Sequence, residues 1–286
     1  MPELPEVETI RRGLERRIVG ARITAVKVGK PKMVRGSVAR FKKSIIGRSI
    51  SRIERRGKLL AFAFSGGDTY MLLHLKMTGQ LMYQNGGVLV VGGHGSSVVS
   101  DLPNKYSHVT FSFADGSRLF FNDQRQFGYL QMVDRAAKES IWGAFGIEPL
   151  SETFTRPAFL KLLKARRMSV KAFLLNQQIL AGIGNIYADE ICFQANVLPD
   201  RLTSSLTDLE RAALFASCQA ILKKAVQHRG TTFSHYRDSE GAMGGFRRYL
   251  KVYGRDGETC VRCKKGLILK KTVAGRGTHF CAVCQQ

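Results

Sequence analysis

Val7, Ile10, Leu14 and Ile18 recur at helical spacing, which predicts an amphipathic helix over residues 6–19. Glu6 and Glu8 in its first turn and Arg16 and Arg17 in its last suit the helix dipole, and Gly20 is a stop signal. Beyond Arg22 the pattern changes to short apolar runs at 23–28, 59–64, 70–75, 108–113 and 118–121, with Asp115-Gly116 marking a hairpin turn between the last two. Many short strands separated by turn signals predict a sandwich or barrel rather than a parallel sheet. The Gly/Ser-rich run 85–100 reads as a loop. From about residue 151 the pattern is helical again. Leu160, Leu162 and Leu163 belong to a short helix, Ser169 and Asn185 read as N-caps, and Thr207-Asp208-Leu209-Glu210 is a capping box opening a long helix that ends near Arg229-Gly230. The expected architecture is therefore multi-domain α+β. A helix and β-sandwich occupy 1–134, a connection 135–150, a helical region 151–232, and a small C-terminal appendage 233–286.

Charge narrows the class of partner. The 286 residues carry 45 Lys+Arg against 22 Asp+Glu, a formal net charge of +23, with a pI near 10.2. That balance points to a polyanion, with nucleic acid ahead of a membrane surface. No apolar run approaches the ~20 residues needed to cross a bilayer, and no signal peptide precedes the acidic start. We expect a cytoplasmic protein whose six cysteines stay reduced.

The first residues hold the most reactive chemistry. Pro2 is small enough for Met1 to be trimmed, leaving a free secondary amine. An α-amino group titrates near ~8 against ~10.4 for lysine, so more of it is neutral and nucleophilic at pH 7. Attack on a sugar C1′ would give an iminium, with Glu3, Glu6 and Glu8 as nearby proton carriers. A solvated N-terminal tail is the competing reading. In Arg55-Arg56-Gly57-Lys58 the cations suit a phosphate and the glycine permits close backbone approach; an ordinary basic strand edge is the alternative. Gly182 and Gly184 precede a helix N-terminus, where free N–H groups and the dipole favour an anion.

Cys260-x2-Cys263, seventeen intervening residues, then Cys281-x2-Cys284 reads as a tetrahedral zinc site, with two disulfides as the competing reading. So small a ribbon cannot bury enough apolar area alone, so one structural zinc would supply its folding energy. From Arg247 onward ten Lys/Arg face two acidic residues, Asp256 and Glu258. Cys192 and Cys218 fall in helical stretches and read as core.

Five stretches together resemble the formamidopyrimidine-DNA glycosylase family. They are Pro2-Glu3-Leu4-Pro5-Glu6, Leu75-Lys76-Met77-Thr78-Gly79, Asn122-Asp123-Gln124-Arg125-Gln126-Phe127-Gly128, Gly182-Ile183-Gly184-Asn185-Ile186-Tyr187-Ala188-Asp189-Glu190, and the four cysteines. They span nearly the whole chain in the family's order. The resemblance implies a bacterial base-excision enzyme acting as a monomer on duplex DNA with oxidised bases or abasic sites. It would flip out 8-oxoguanine and formamidopyrimidines.

In this likeness Pro2 displaces the base and forms the imine, Glu3 handles the proton at the sugar, and Glu6 lines the lesion pocket. Lys58 binds phosphate and assists proton transfer, and β,δ-elimination follows. Met77, Arg125 and Phe127 match the family's void-filling wedge. His74, Lys171, Asn185 and Arg276 match its phosphate contacts, residues 182–190 its helix–two-turn–helix, and 234–245 is the candidate lesion-capping loop. Gln124 and Gln126 depart from the family's Pro and Arg. Two alternatives stand beside this: an endonuclease VIII-like enzyme for oxidised pyrimidines, which commonly has glycine at the position of Leu4, and a non-catalytic zinc-ribbon protein that binds DNA by charge.

Overall fold

The computed structural model describes residues 1–86, 88–93, 102–231 and 245–286. The end of the Gly/Ser-rich run, 94–100, and the candidate lesion-capping loop up to Gly245 lie outside them. The chain forms two compact units, Met1–Gly143 with His228–Arg247, and Ala144–Gln227 with Arg248–Gln286.

The first unit opens with helix α1 (Leu4–Ile18), followed by β1 (Ile23–Val28), β2 (Val34–Arg35), helix α2 (Val38–Ile45), β3 (Ile50–Arg56) and β4 (Leu59–Phe64). Then come β5 (Thr69–His74), β6 (Gly79–Asn85), β7 (Val88–Gly93), β8 (Ser107–Phe113), β9 (Arg118–Asp123), β10 (Tyr129–Asp134) and helix α3 (Arg135–Gly143). The strands form two five-stranded sheets, ordered β1-β8-β9-β6-β7 and β2-β10-β5-β4-β3. Inner-face residues of both sheets, among them Phe62, Leu73, Phe111 and Phe121, share one core with Val7, Ile10 and Leu14 of α1. The predicted sandwich with its N-terminal helix is therefore the fold. At the expected hairpin, Gly116 takes φ +82° and Asp115 Oδ1 accepts the Ser117 N–H at 3.0 Å. The run read as a loop from residue 85 instead begins with a strand. Its β-branched and apolar segment, Val88-Leu89-Val90-Val91, pairs antiparallel with β6 as β7.

Helix α1 begins two residues before the apolar period suggests. Its start is set by polar chemistry: the Glu6 carboxylate reaches back to accept the Glu3 N–H at 3.0 Å, and Pro5 lies in the first turn. The helix is fixed to β3 by Glu8, which accepts from Arg55 Nε at 2.9 Å and also from Arg11 and Arg12. Burial opposes its ionisation, yet the hydrogen bonds from Arg11 and Arg55 hold the Glu8 carboxyl down at about 2. Glu8 is thus a structural anion and not the proton carrier its position suggests.

The second unit contains α4 (Arg156–Lys164), α5 (Val170–Leu175), α6 (Asn185–Gln194), α7 (Asp208–Gln227) and the hairpin of β11 (Ile268–Val273) and β12 (Arg276–Cys281). Ser169 caps α5 by accepting the Ala172 N–H, and Thr207 and Glu210 form the reciprocal box opening α7. Asn185, in contrast, is not a cap. Gly184 holds that position, and Asn185 is the first helical residue, with its side chain directed to the hairpin. Residues Ile186 to Phe193 of α6 are all buried, so the helix carries no amphipathic stripe. No helix among the described residues is long and apolar enough to cross a membrane.

Candidate active site and nucleic-acid interface

The first unit gathers its charged groups around the chain start. Pro2 is buried, as are Glu3, Glu6 and Lys58. Glu3 precedes the first turn of α1 and Glu6 lies within it, whereas Lys58 sits with Gly57 in the two-residue turn joining β3 to β4. Gly57 supplies the positive φ (+58°) that this turn requires. Burial lowers the pKa of the Met1 amine; Glu3 and Glu6 oppose that shift, and Lys58 and Arg125 reinforce it. The amine thus lies within electrostatic reach of four of the residues singled out from the sequence.

Glu6 is held from two directions. Its Oε2 accepts the Glu3 N–H, while its Oε1 accepts both the N–H of Thr231 at 2.7 Å and its hydroxyl at 3.0 Å. Nothing local in the sequence pairs residues so far apart.

His74 ends β5, and its ring stacks on Tyr129 with centroids 5.9 Å apart. The guanidinium of Arg35 covers the Tyr129 ring at 3.3 Å. Burial, then the cations Lys76, Lys58 and Arg35, push the His74 pKa down to about 3. Its Nδ1 accepts the Lys76 N–H at 2.9 Å, which leaves the proton on Nε2. His74 is therefore a neutral donor at pH 7, not a cation.

Met77 and Phe127 are 38% and 53% exposed, unusual for large apolar side chains, and Arg125 lies over the Phe127 ring at 4.8 Å. Met77 follows β5 and the other two follow β9. The fully buried Asp123 joins these loops. It accepts the N–H groups of Arg125 at 3.2 Å and Gly128 at 2.7 Å, and it also bonds the Thr78 hydroxyl. The loop that carries Gln124 and Gln126 is thereby clamped at its base. The sequence singled out the wedge but not Asp123; its one signal is an Asp opening a glycine-closed loop, where a carboxylate can cap N–H groups two and five residues on.

In the second unit Gln177 braces the glycine loop, accepting the Gly182 N–H at 2.9 Å and donating to the Ile183 carbonyl at 2.8 Å. Asn185 donates to the Gly277 carbonyl at 2.9 Å, beside exposed Arg276 at the tip of the hairpin. The phosphate role read for Lys171 does not fit its position. It is fully buried, and its three ammonium protons go to Asp189 Oδ1 at 2.6 Å, Thr278 Oγ1 at 2.7 Å and the Gly277 carbonyl at 3.1 Å. Lys171 fixes β12 instead of reaching out. Asp189 also accepts the His279 N–H at 2.8 Å, and Glu190 takes the N–H groups of Lys251, Val252 and Tyr253. These adjacent carboxylates anchor the entry to the hairpin and its second strand.

The four hairpin cysteines converge, with all Sγ atoms within 4.8 Å of one another. Cys260 and Cys284 are 3.7 Å apart at sulfur, Cys263 and Cys281 3.8 Å. A disulfide needs ~2.05 Å. Four thiolates at ~2.3 Å from a central ion lie about 3.8 Å apart, so the donor set fits a tetrahedral metal. The Cys263 sulfur accepts the Gly266 N–H at 3.4 Å, which favours its thiolate, while burial raises the Cys281 and Cys284 thiols. The strands pair without a register shift from Ile268↔Cys281 to Val273↔Arg276. Cys192 and Cys218 are fully buried in the core, where burial pushes both thiols up.

Comparison with known proteins places this architecture. The family models of the formamidopyrimidine-DNA glycosylase N-terminal domain and H2TH domain match residues 1–130 and 145–237. Formamidopyrimidine-DNA glycosylases of Carboxydothermus hydrogenoformans and Pelotomaculum thermopropionicum are 42% and 39% identical over all of this chain and 100% and 99% of their own lengths. Two Lactococcus lactis Fpg structures, a mutant with Fapy-dG-containing DNA and a complex with abasic-site DNA, superpose with TM-scores of 0.87 and 0.86. Each is 36% identical, with coverage of 100% of both chains for the first and 99% of both for the second. Both units thus carry the domains of a DNA glycosylase. The chain belongs to the formamidopyrimidine-DNA glycosylase family.

Proposed function

We propose that this chain excises oxidised purines from duplex DNA and then cleaves the abasic site, using the amine of Pro2 after removal of Met1. The Pro2 nitrogen attacks C1′ as the glycosidic bond breaks and the base departs with its electron pair. The amine loses its proton, Glu3 protonates O4′ as the C1′–O4′ bond opens, and the resulting iminium draws electrons for successive loss of the 3′- and 5′-phosphates. Lys58 holds a phosphate and assists proton transfer. The observation that supports the reading is the burial of Pro2, Glu3, Glu6 and Lys58 at the start of the first unit, with the Glu3 N–H held by Glu6.

Exposed Met77, Arg125 and Phe127 would fill the space left by the extruded nucleotide. Lys58, His74, Asn185 and Arg276 would contact phosphates, with Lys171 acting from behind as a support. Zinc is the ion we assign to Cys260, Cys263, Cys281 and Cys284. Four sulfurs complete its tetrahedron, so its part is structural.

A duplex labelled on both sides of a single 8-oxoguanine tests the reading. We expect free base and a one-nucleotide gap bearing phosphate at both ends. An intact abasic strand as sole product would refute the lyase step, and faster excision of an oxidised pyrimidine would favour the endonuclease VIII-like alternative.

Charge and wedge roles separate by salt. Arg276→Ala should weaken binding to damaged and intact duplex alike and make the slope of log affinity against log salt shallower by about one. Neutral His74 should leave that slope unchanged when replaced by Ala. Phe127→Ala should also preserve it while excision falls. A slope that changes with Phe127 and not with Arg276 would reverse these assignments.

A further inference from the structure

The Glu6 contacts assign this carboxylate a second task. Thr231 and Gly230 belong to the same compact unit as α1. Gly230 adopts φ +79°, and a Cβ built on it would lie 2.5 Å from Glu6 Oε1 and 2.9 Å from the carboxyl carbon. The backbone at 230 is therefore moulded around the Glu6 carboxylate, which fills the space a side chain would occupy. A non-glycine residue would combine left-handed strain with a clash against the buried Glu6 side chain. Across the carboxylate, Oε2 holds the N–H of Glu3, the residue that follows Pro2.

We infer that Glu6 is a positioning residue that clasps the Pro2-Glu3 turn to the 230–231 segment and so fixes the nucleophilic amine, independently of any contact it makes with a lesion. The inference rests on the Pro2 reading. Both carboxylate oxygens serve it. One oxygen restrains the first turn of α1, and the other accepts two hydrogen bonds from a residue 225 positions away. A displacement of about 1 Å at a nucleophile can cost 10²-fold in rate, so loosening either side should reach the chemistry.

An abasic site distinguishes clasp from pocket because it contains no base to recognise. Gly230→Ala, which crowds Oε1, and Thr231→Val, which removes the hydroxyl bond, should slow both 8-oxoguanine excision and borohydride trapping on preformed abasic DNA. We expect roughly 10- to 100-fold for the first variant and a smaller loss in the same ratio for the second. Thr231→Ser should restore both rates. If Gly230→Ala fails to fold, Thr231→Val and its serine rescue decide. Slowed excision with trapping unchanged would overturn the clasp in favour of a pocket role alone, and unchanged rates in both assays would remove it altogether. Wild-type protein that traps abasic DNA through a residue other than Pro2 would instead refute the nucleophile reading on which the inference stands.

Discussion

Replacing Pro2 with glycine is expected to reduce borohydride trapping on abasic DNA by about 100-fold or more while duplex affinity stays within about twofold. Glycine retains a terminal amine but changes two properties that matter. The pyrrolidine ring ties the nitrogen back to the side chain, so it cannot turn about N–Cα, whereas the amine of a terminal glycine rotates freely. A secondary amine also yields an iminium with no N–H to lose, so its charge persists through elimination. Duplex affinity should hold because proposed phosphate contacts such as Arg276 and His74 are untouched. Peptide mapping of the trapped adduct should place the DNA on residue 2. Equal trapping by a chain whose intact mass shows that it retains Met1 would remove Pro2 from the mechanism.

Loss of one hairpin sulfur should be nearly as damaging. Cys281 is buried at the end of β12, paired through its strand with Ile268, and lies five residues from Arg276. With Cys281→Ser, elemental analysis should find metal falling from one equivalent per chain toward none. Structural zinc contributes on the order of 10–16 kcal/mol to small domains of this kind, far more than so short a hairpin gains from burial. Arg276 would then lose the strand that holds it, so DNA affinity should fall together with metal content. Metal-free protein with full affinity would refute both the site and its structural role.

Legibility in the sequence followed the range of the interactions. The apolar face of α1 and the strands Ile23–Val28 and Leu59–Phe64 were legible because continuous or periodic burial leaves a local mark. In β10 burial falls at Leu130 and Val133, three residues apart, and the strand escapes a search for alternation. Helix α2 buries only Phe41 and Ile45 beneath a basic surface, and β6 begins at glycine and contains polar Gln80 and Gln84. The cysteine spacing announced its geometry because ligands for one ion occur as close pairs. Lys171 shows the opposite case. The family likeness implies a phosphate contact at this position, and only the fold reveals Asp189, Gly277 and Thr278 around it. The sequence likewise holds no local sign that Thr231 closes on Glu6.

The two compact units interleave along the chain, since His228–Arg247 rejoins the first after more than eighty residues of the second. A growing polypeptide therefore exposes α1 and the whole sandwich well before Thr231 exists. Translation at about 5–20 residues per second separates Glu6 from Thr231, 225 positions later, by roughly 11–45 s. During that interval the Glu3-Glu6 turn must form without its distant partner, and the entropic cost of closing so long a loop makes the contact a late one. A nascent chain arrested before residue 228 should fold its sandwich core yet remain poor at capturing an abasic sugar. The order of synthesis would thus keep a reactive amine from completing its surroundings until the chain is nearly finished.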